Sequence, residues 1–346
     1  MSVLYGLGNK PVSKDQYLKR KSSLEPMGTR GQFTYKEIGI GKPLLVQIYT
    51  MYTGKHPSKF GLGAPRLLVS STVKKAKSTV GTKSPRAVNQ LVNQIVDNQY
   101  LHIDPANVGT PYVFYSPAMV EQKIDISISF DIKKFDDKLF GQLSNALNSA
   151  GVLPVFAPAS VYLFSISSVI NFGKELGKIF IEDAGYMNGV LNIEFNGPFG
   201  TFLPNWYCIC NTSDEAEFKD LSLFKDDKNR VFLGKSEDEK YEGDAPYVIV
   251  VIDGRKDDSL NEFQPLLASA EILEDFYGNE PGENVTKVIT EAMSLYNDLN
   301  YNHAALEIKD KIAKLDPEKD KEEIEKLQKF FKGYNENIQE SKLKVT

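Results

Sequence analysis

Histidine is scarce in this chain, so a side chain able to exchange a proton near neutral pH is limited to His56, His102 or His303. His102 stands two residues from Asp104, the smallest unit of an oriented base. No Gly-x-Ser-x-Gly elbow offers that base a nucleophile, and the pair reads as a surface or capping interaction. Cys208 and Cys210 alternate with Tyr207 and Ile209, so on a strand both thiols share a face with Trp206. A zinc site needs a second cysteine pair or a nearby histidine, and the sequence supplies neither. Two buried, reduced cysteines packing as small hydrophobes are expected instead. Asp253, Asp257 and Asp258 follow an apolar run, where carboxylate oxygens could hold a hard cation. Arg255 and Lys256 compete for the same charges, which favours a solvated turn.

Three glycine pairs could cradle phosphate: Gly6-Leu7-Gly8, Gly39-Ile40-Gly41 and Gly61-Leu62-Gly63. None completes a dinucleotide fingerprint. After Gly63 come Ala64, Pro65 and Arg66, so the third glycine is missing and a proline blocks the helix start. No Gly-Lys-Ser/Thr follows a glycine at P-loop spacing. Neither a catalytic residue, a metal site nor a cofactor is expected.

The elements around these residues are mostly strands. QFTYKEIG, LLVQIYTMYT and RLLVSSTV are short β-branched runs bounded by glycine and proline. Residues 124–132 alternate isoleucine and phenylalanine with serine and aspartate, predicting one buried and one wet face. Residues 190–195, 206–210, 231–233 and 247–253 are further strands, the last apolar throughout as in a strand covered on both faces. Helices are expected at 84–97, 136–150 and 260–278. The first has Ser84 as cap, Pro85 in its first turn, and Val88, Leu91, Val92, Ile95 and Val96 as its stripe.

A boundary is expected near 278–283, at the GNEPGEN stretch, dividing a body (1–278) from a charged helical tail (279–346). Three tail helices are expected, near 284–299, 302–315 and 318–340. Ala292, Leu295, Tyr296, Tyr301, Ala304 and the closing Leu315-Asp316-Pro317 resemble one tetratricopeptide-type helical hairpin. The resemblance covers about 30 residues and implies a partner-binding or oligomerising appendage, with Tyr301 filling the turn. The last helix carries Ile324, Leu327, Phe331, Tyr334 and Ile338 as an apolar stripe.

Charge is unevenly laid out along the chain's 346 residues. Residues 1–90 hold sixteen lysines and arginines against three acids, a net of +13, while the remainder is −18. Such a split suits a contact between opposite charges, within one chain or between chains. The densest basic stretch holds Lys74, Lys75, Lys77, Lys83 and Arg86. It contains no aromatic ring on which a base could stack, so it reads as generic electrostatics. From Leu139 to Gly173 no charged side chain occurs, and the longest proline-free part, Ala159 to Phe172, is shorter than the ~20 residues of a membrane-spanning helix.

The expectation is an α+β protein: a β-rich body with packed helices, then a helical C-terminal tail. Function is expected to be non-enzymatic, an interaction or assembly protein whose basic and acidic regions bring copies together, in the cytoplasm or a particle assembled there. Neither a secretory signal nor a constitutive span is expected. Partner contacts are expected at Lys74, Lys75, Lys77, Lys83, Arg86, Tyr301, Phe331 and Tyr334. Alternatives are a membrane-acting effector using residues 151–172, with anionic lipid as partner, and a nucleic-acid-associated protein using the basic segment.

Overall fold

The computed structural model describes residues 2–25, 28–56, 66–75, 86–101, 110–133, 186–195, 202–260 and 283–346. In chain order they form β1 (Ser2–Leu7), β2 (Lys10–Val12), α1 (Lys14–Arg20), β3 (Gly28–Arg30), β4 (Phe33–Tyr35), β5 (Leu44–Tyr52), β6 (Arg66–Lys75) and β7 (Arg86–Val92). Then come β8 (Tyr100–Leu101), β9 (Tyr112–Ser116), β10 (Lys123–Lys133), β11 (Met187–Glu194), β12 (Asn205–Cys210), β13 (Ser222–Lys225), β14 (Val231–Gly234) and β15 (Tyr247–Asp253). Two helices, α2 (Glu283–Ile312) and α3 (Lys321–Asn337), follow. The α+β architecture, a β-rich body with a helical C-terminal region, is what the residue patterns predict.

Two antiparallel sheets face each other. The larger runs β2-β1-β12-β15-β5-β8, with β9 also on β5; the smaller runs β11-β10-β6-β7. Period-two alternation decides what lies between them. Tyr207, Ile209, Val248, Val250 and Ile252 point from the larger sheet into a core shared with Ile124, Ile126, Ile128 and Phe130 of β10. Their sequence neighbours Trp206, Cys208, Cys210, Tyr247, Ile249 and Val251 point the other way, onto Phe218, Leu223, Leu233 and Tyr241. The larger sheet is therefore covered on both faces, which is why β12 and β15 are buried along their whole length. At Gly189 of β11 the two sheets approach closely. A Cβ there would sit 1.9 Å from Ile209 Cγ2.

Two expectations are corrected. Residues 86–92 form the edge strand β7, not part of a helix. Its pairing with β6 slips between Val69 and Ser70, opposite Asn89. That bulge adds one residue, breaks the alternation of Val88, Leu91 and Val92, and leaves a spacing that imitates a helix. Asn89, which lies off the expected stripe, is fully buried and donates to the Thr110 and Tyr112 carbonyls. On β10 the supposedly wet face is wet only in part: Ser129 and Asp131 are buried and hydrogen-bonded to each other, and Ser129 also meets Ser70. The expected helix at 136–150, that at 260–278 beyond Leu260, and the uncharged stretch 151–172 lie outside the described residues.

The helical region is one hairpin rather than three helices. α2 continues unbroken through Tyr301, because neither proline nor glycine interrupts residues 283–312. The turn comes instead at 313–320, around Pro317, where Asp316 accepts the Glu318 N–H and pairs with Lys319. The tetratricopeptide-type turn at Tyr301 is thus not formed. Among the described residues, no helix is long and apolar enough to cross a membrane.

Candidate interaction surface

The β6–β7 hairpin gathers part of the basic stretch at one end of the smaller sheet. Antiparallel pairing sets Thr72 opposite Arg86, with Lys74 and Lys75 two and three residues further along β6. Lys74 is exposed and lies across from Asp125 of β10. Lys77 and Lys83, in the connection beyond, fall outside the described residues. The opposite charge is displayed on the loop from β14 to β15, where Glu237, Asp238, Glu239, Glu242 and Asp244 are exposed. Lys235 and Lys240 offset it only in part, pairing with Glu239 and Asp226.

Polar contacts and close backbone approach attach the helical hairpin to the body. The Asn337 amide donates to the Ala118 carbonyl and, at 2.7 Å, to the Gly333 carbonyl, while its oxygen accepts from Ser116 Oγ at 3.3 Å. Gly333 lets α3 lie against Gly41 and Val120. Asp298 of α2 accepts the N–H groups of Gln339 and Glu340, and Asn302 and Asn335 bind the Leu343 and Val345 carbonyls. The final residues are thereby tied across both helices.

Tyr301 and Tyr334 bring their rings to 6.3 Å between the helices. Burial pushes the Tyr301 hydroxyl above its usual range, and the Glu121 carboxylate of the body adds to the shift. These two residues hold the molecule's own hairpin together, and Phe331 beside them is partly buried. What α2 leaves open is a different face. Leu295, Tyr296, Leu299 and Leu306 are 51%, 55%, 48% and 45% exposed. At 100° per residue they fall on one side of the helix, roughly a third of a turn from Asp298, Tyr301 and the buried Ala305. Leu299 and Leu306 escaped the sequence reading, which broke the helix between them. A single 30-residue helix would have put all four on one stripe.

The residues with chemical potential are scattered. His102 and Asp104 lie outside the described residues. His56 sits beside the Asp97 carboxylate, and His303 is an exposed neighbour of Glu307 at 3.5 Å. Cys208 and Cys210 are free and buried on the face of Trp206, as expected, and burial pushes the Cys208 thiol up, away from reactivity. Asp253 is buried and spent on the Lys36 N–H and Arg255, Asp257 on Ser259, and Asp258 pairs with Lys256. Among the described residues, no three His, Cys, Asp or Glu side chains are placed to share a metal ion. No family model matches this chain, and neither a curated protein nor a solved structure is similar enough to inform it, so function must be read from these surfaces.

Proposed function

We propose that this chain is a non-catalytic assembly protein whose copies associate through the open face of α2, steered by the opposite charges of its basic and acidic regions. One observation carries the reading: four large apolar side chains stand exposed along one face of a helix whose other side is already occupied. A soluble monomer seldom keeps such a stripe open, and covering it with a second copy removes apolar surface from water. The charge layout supports a second copy as the occupant. The basic hairpin end and the acidic 236–244 loop are complementary between chains, and complementarity speeds encounter and fixes orientation.

Light scattering on the purified chain at low and high salt tests this. A mass above the monomer is expected at low salt, falling as salt rises, because exposed charges are screened beyond about 8–10 Å near physiological ionic strength. The variant Leu299→Asp/Leu306→Asp is expected to be monomeric at both, with an unchanged circular dichroism spectrum. A monomeric wild type under both conditions, or an oligomer untouched by the two aspartates, would sink the reading.

A further inference from the structure

A half-open cavity of about 530 Å³ lies where α3 meets the loop at residues 36–42. Its polar rim is Lys42, Lys326 and Lys329 with Glu37 and Gln122. Its apolar lining is Ile38, Ile40, Phe195 and Phe330. The loop side is held firmly. Asp253 accepts the Lys36 N–H, Gly254 donates to the Lys36 carbonyl, and Gly41 and Lys42 exchange hydrogen bonds with Met119. Gly41 has φ +75°, a conformation suited to glycine, and a Cβ there would press on the Lys329 carbonyl at 2.7 Å. The backbones of loop and helix therefore close one end of the cleft.

Charge and size narrow what could sit there. Glu37 pairs with Lys42 and, just outside the lining, Glu323 pairs with Lys326, so three lysines meet two carboxylates and leave a net of +1. A phosphate monoester is close to a dianion at neutral pH, and lysine serves phosphate as a compact point charge. The volume falls in the range of small-molecule pockets, and Phe330 and Ile40 offer an apolar bed. We propose that this cleft binds an organic phosphate monoester, its phosphate among Lys42, Lys326 and Lys329 and its apolar or aromatic body against Phe330 and Ile40. A ligand so placed touches both the body and α3, and would clamp the helical hairpin to the sheets. The inference does not rest on the assembly reading.

Phenyl phosphate is a suitable probe, titrated calorimetrically into the full chain and followed by thermal unfolding. Saturable binding with a rise in Tm is expected, with inorganic phosphate and phenol each weaker. Lys326→Glu/Lys329→Glu is expected to weaken phenyl phosphate by about tenfold or more, since two charge-assisted contacts are reversed. Lys321→Glu/Lys332→Glu makes the same charge change on α3 outside the cleft and is expected to bind as wild type; it also separates loss of site from loss of fold. Phe330→Ala is expected to bring phenyl phosphate down to the affinity of inorganic phosphate. Absent saturation, equal losses in the two lysine pairs, or phenol binding as well as its phosphate would overturn the proposal. So would sedimentation with phosphatidic acid vesicles without binding of the free ester, which would point to a lipid surface instead.

Discussion

The middle of the larger sheet and the α2–α3 hairpin are held by opposite means. In β12 and β15 every residue is buried, and successive side chains enter two separate apolar cores. The hairpin meets the body through one asparagine and two glycines, its tyrosine pair joining only its own helices, while large apolar side chains of α2 stay in water. Apolar burial is non-directional and accumulates with area, whereas a polar latch depends on a few atoms. The body should thus fail as a unit, and the hairpin should be able to lift away alone.

Trp206→Ala makes the largest hole available in the central sheet and removes the indole bond to the Gly8 carbonyl. A loss of about 3–5 kcal/mol is expected in denaturant unfolding, with sheets and helices melting together. Asn337→Leu keeps the volume but leaves the Ala118 carbonyl without its buried donor. It is expected to cost about 1–3 kcal/mol, and hydrogen exchange should rise in α2 and α3 while β12 and β15 stay protected. Uniform exchange across both regions would erase the contrast. The smallest effect belongs to Asp226, on the β13–β14 hairpin that covers the outer face of the sheet. Burial alone would raise its carboxyl, but hydrogen bonds from Arg230 prevail and hold it well below the usual carboxylate range. A carboxyl depressed in the folded state stabilises above its unfolded pKa of about 3.9 and loses that contribution as pH falls. Asp226→Asn should therefore lower Tm slightly at pH 6, with the difference from wild type narrowing as pH falls below about 4.

Both β10 and β15 were legible because burial on one or two faces writes itself directly into alternation or continuity. β7 was not, since the register slip opposite Asn89 lies in its pairing with β6, and a window of sequence contains only one of the two strands. The Cys208–Cys210 face needed only period two. The tail misled for a different reason: Tyr301 and Ala304 fit a hairpin turn locally, yet with no helix breaker between 283 and 312 the helix continues. The cleft was the least visible feature. Lys42 and Gly41 come from a loop nearly three hundred residues before Lys329, and the glycine pair at 39–41 belongs to no phosphate-binding motif that would mark it.

The order of strands has a consequence for how the protein is made. β1 pairs with β12 across about two hundred residues, and β5 pairs with β15 across a similar span. A ribosome that has released the first half of the polypeptide has delivered β1 and β5 with partners on one side only, β2 for the first and β8 and β9 for the second. Their apolar edges must wait until Asp253 has emerged, so long-range pairing makes slow folding and dependence on a holding chaperone natural outcomes of this topology.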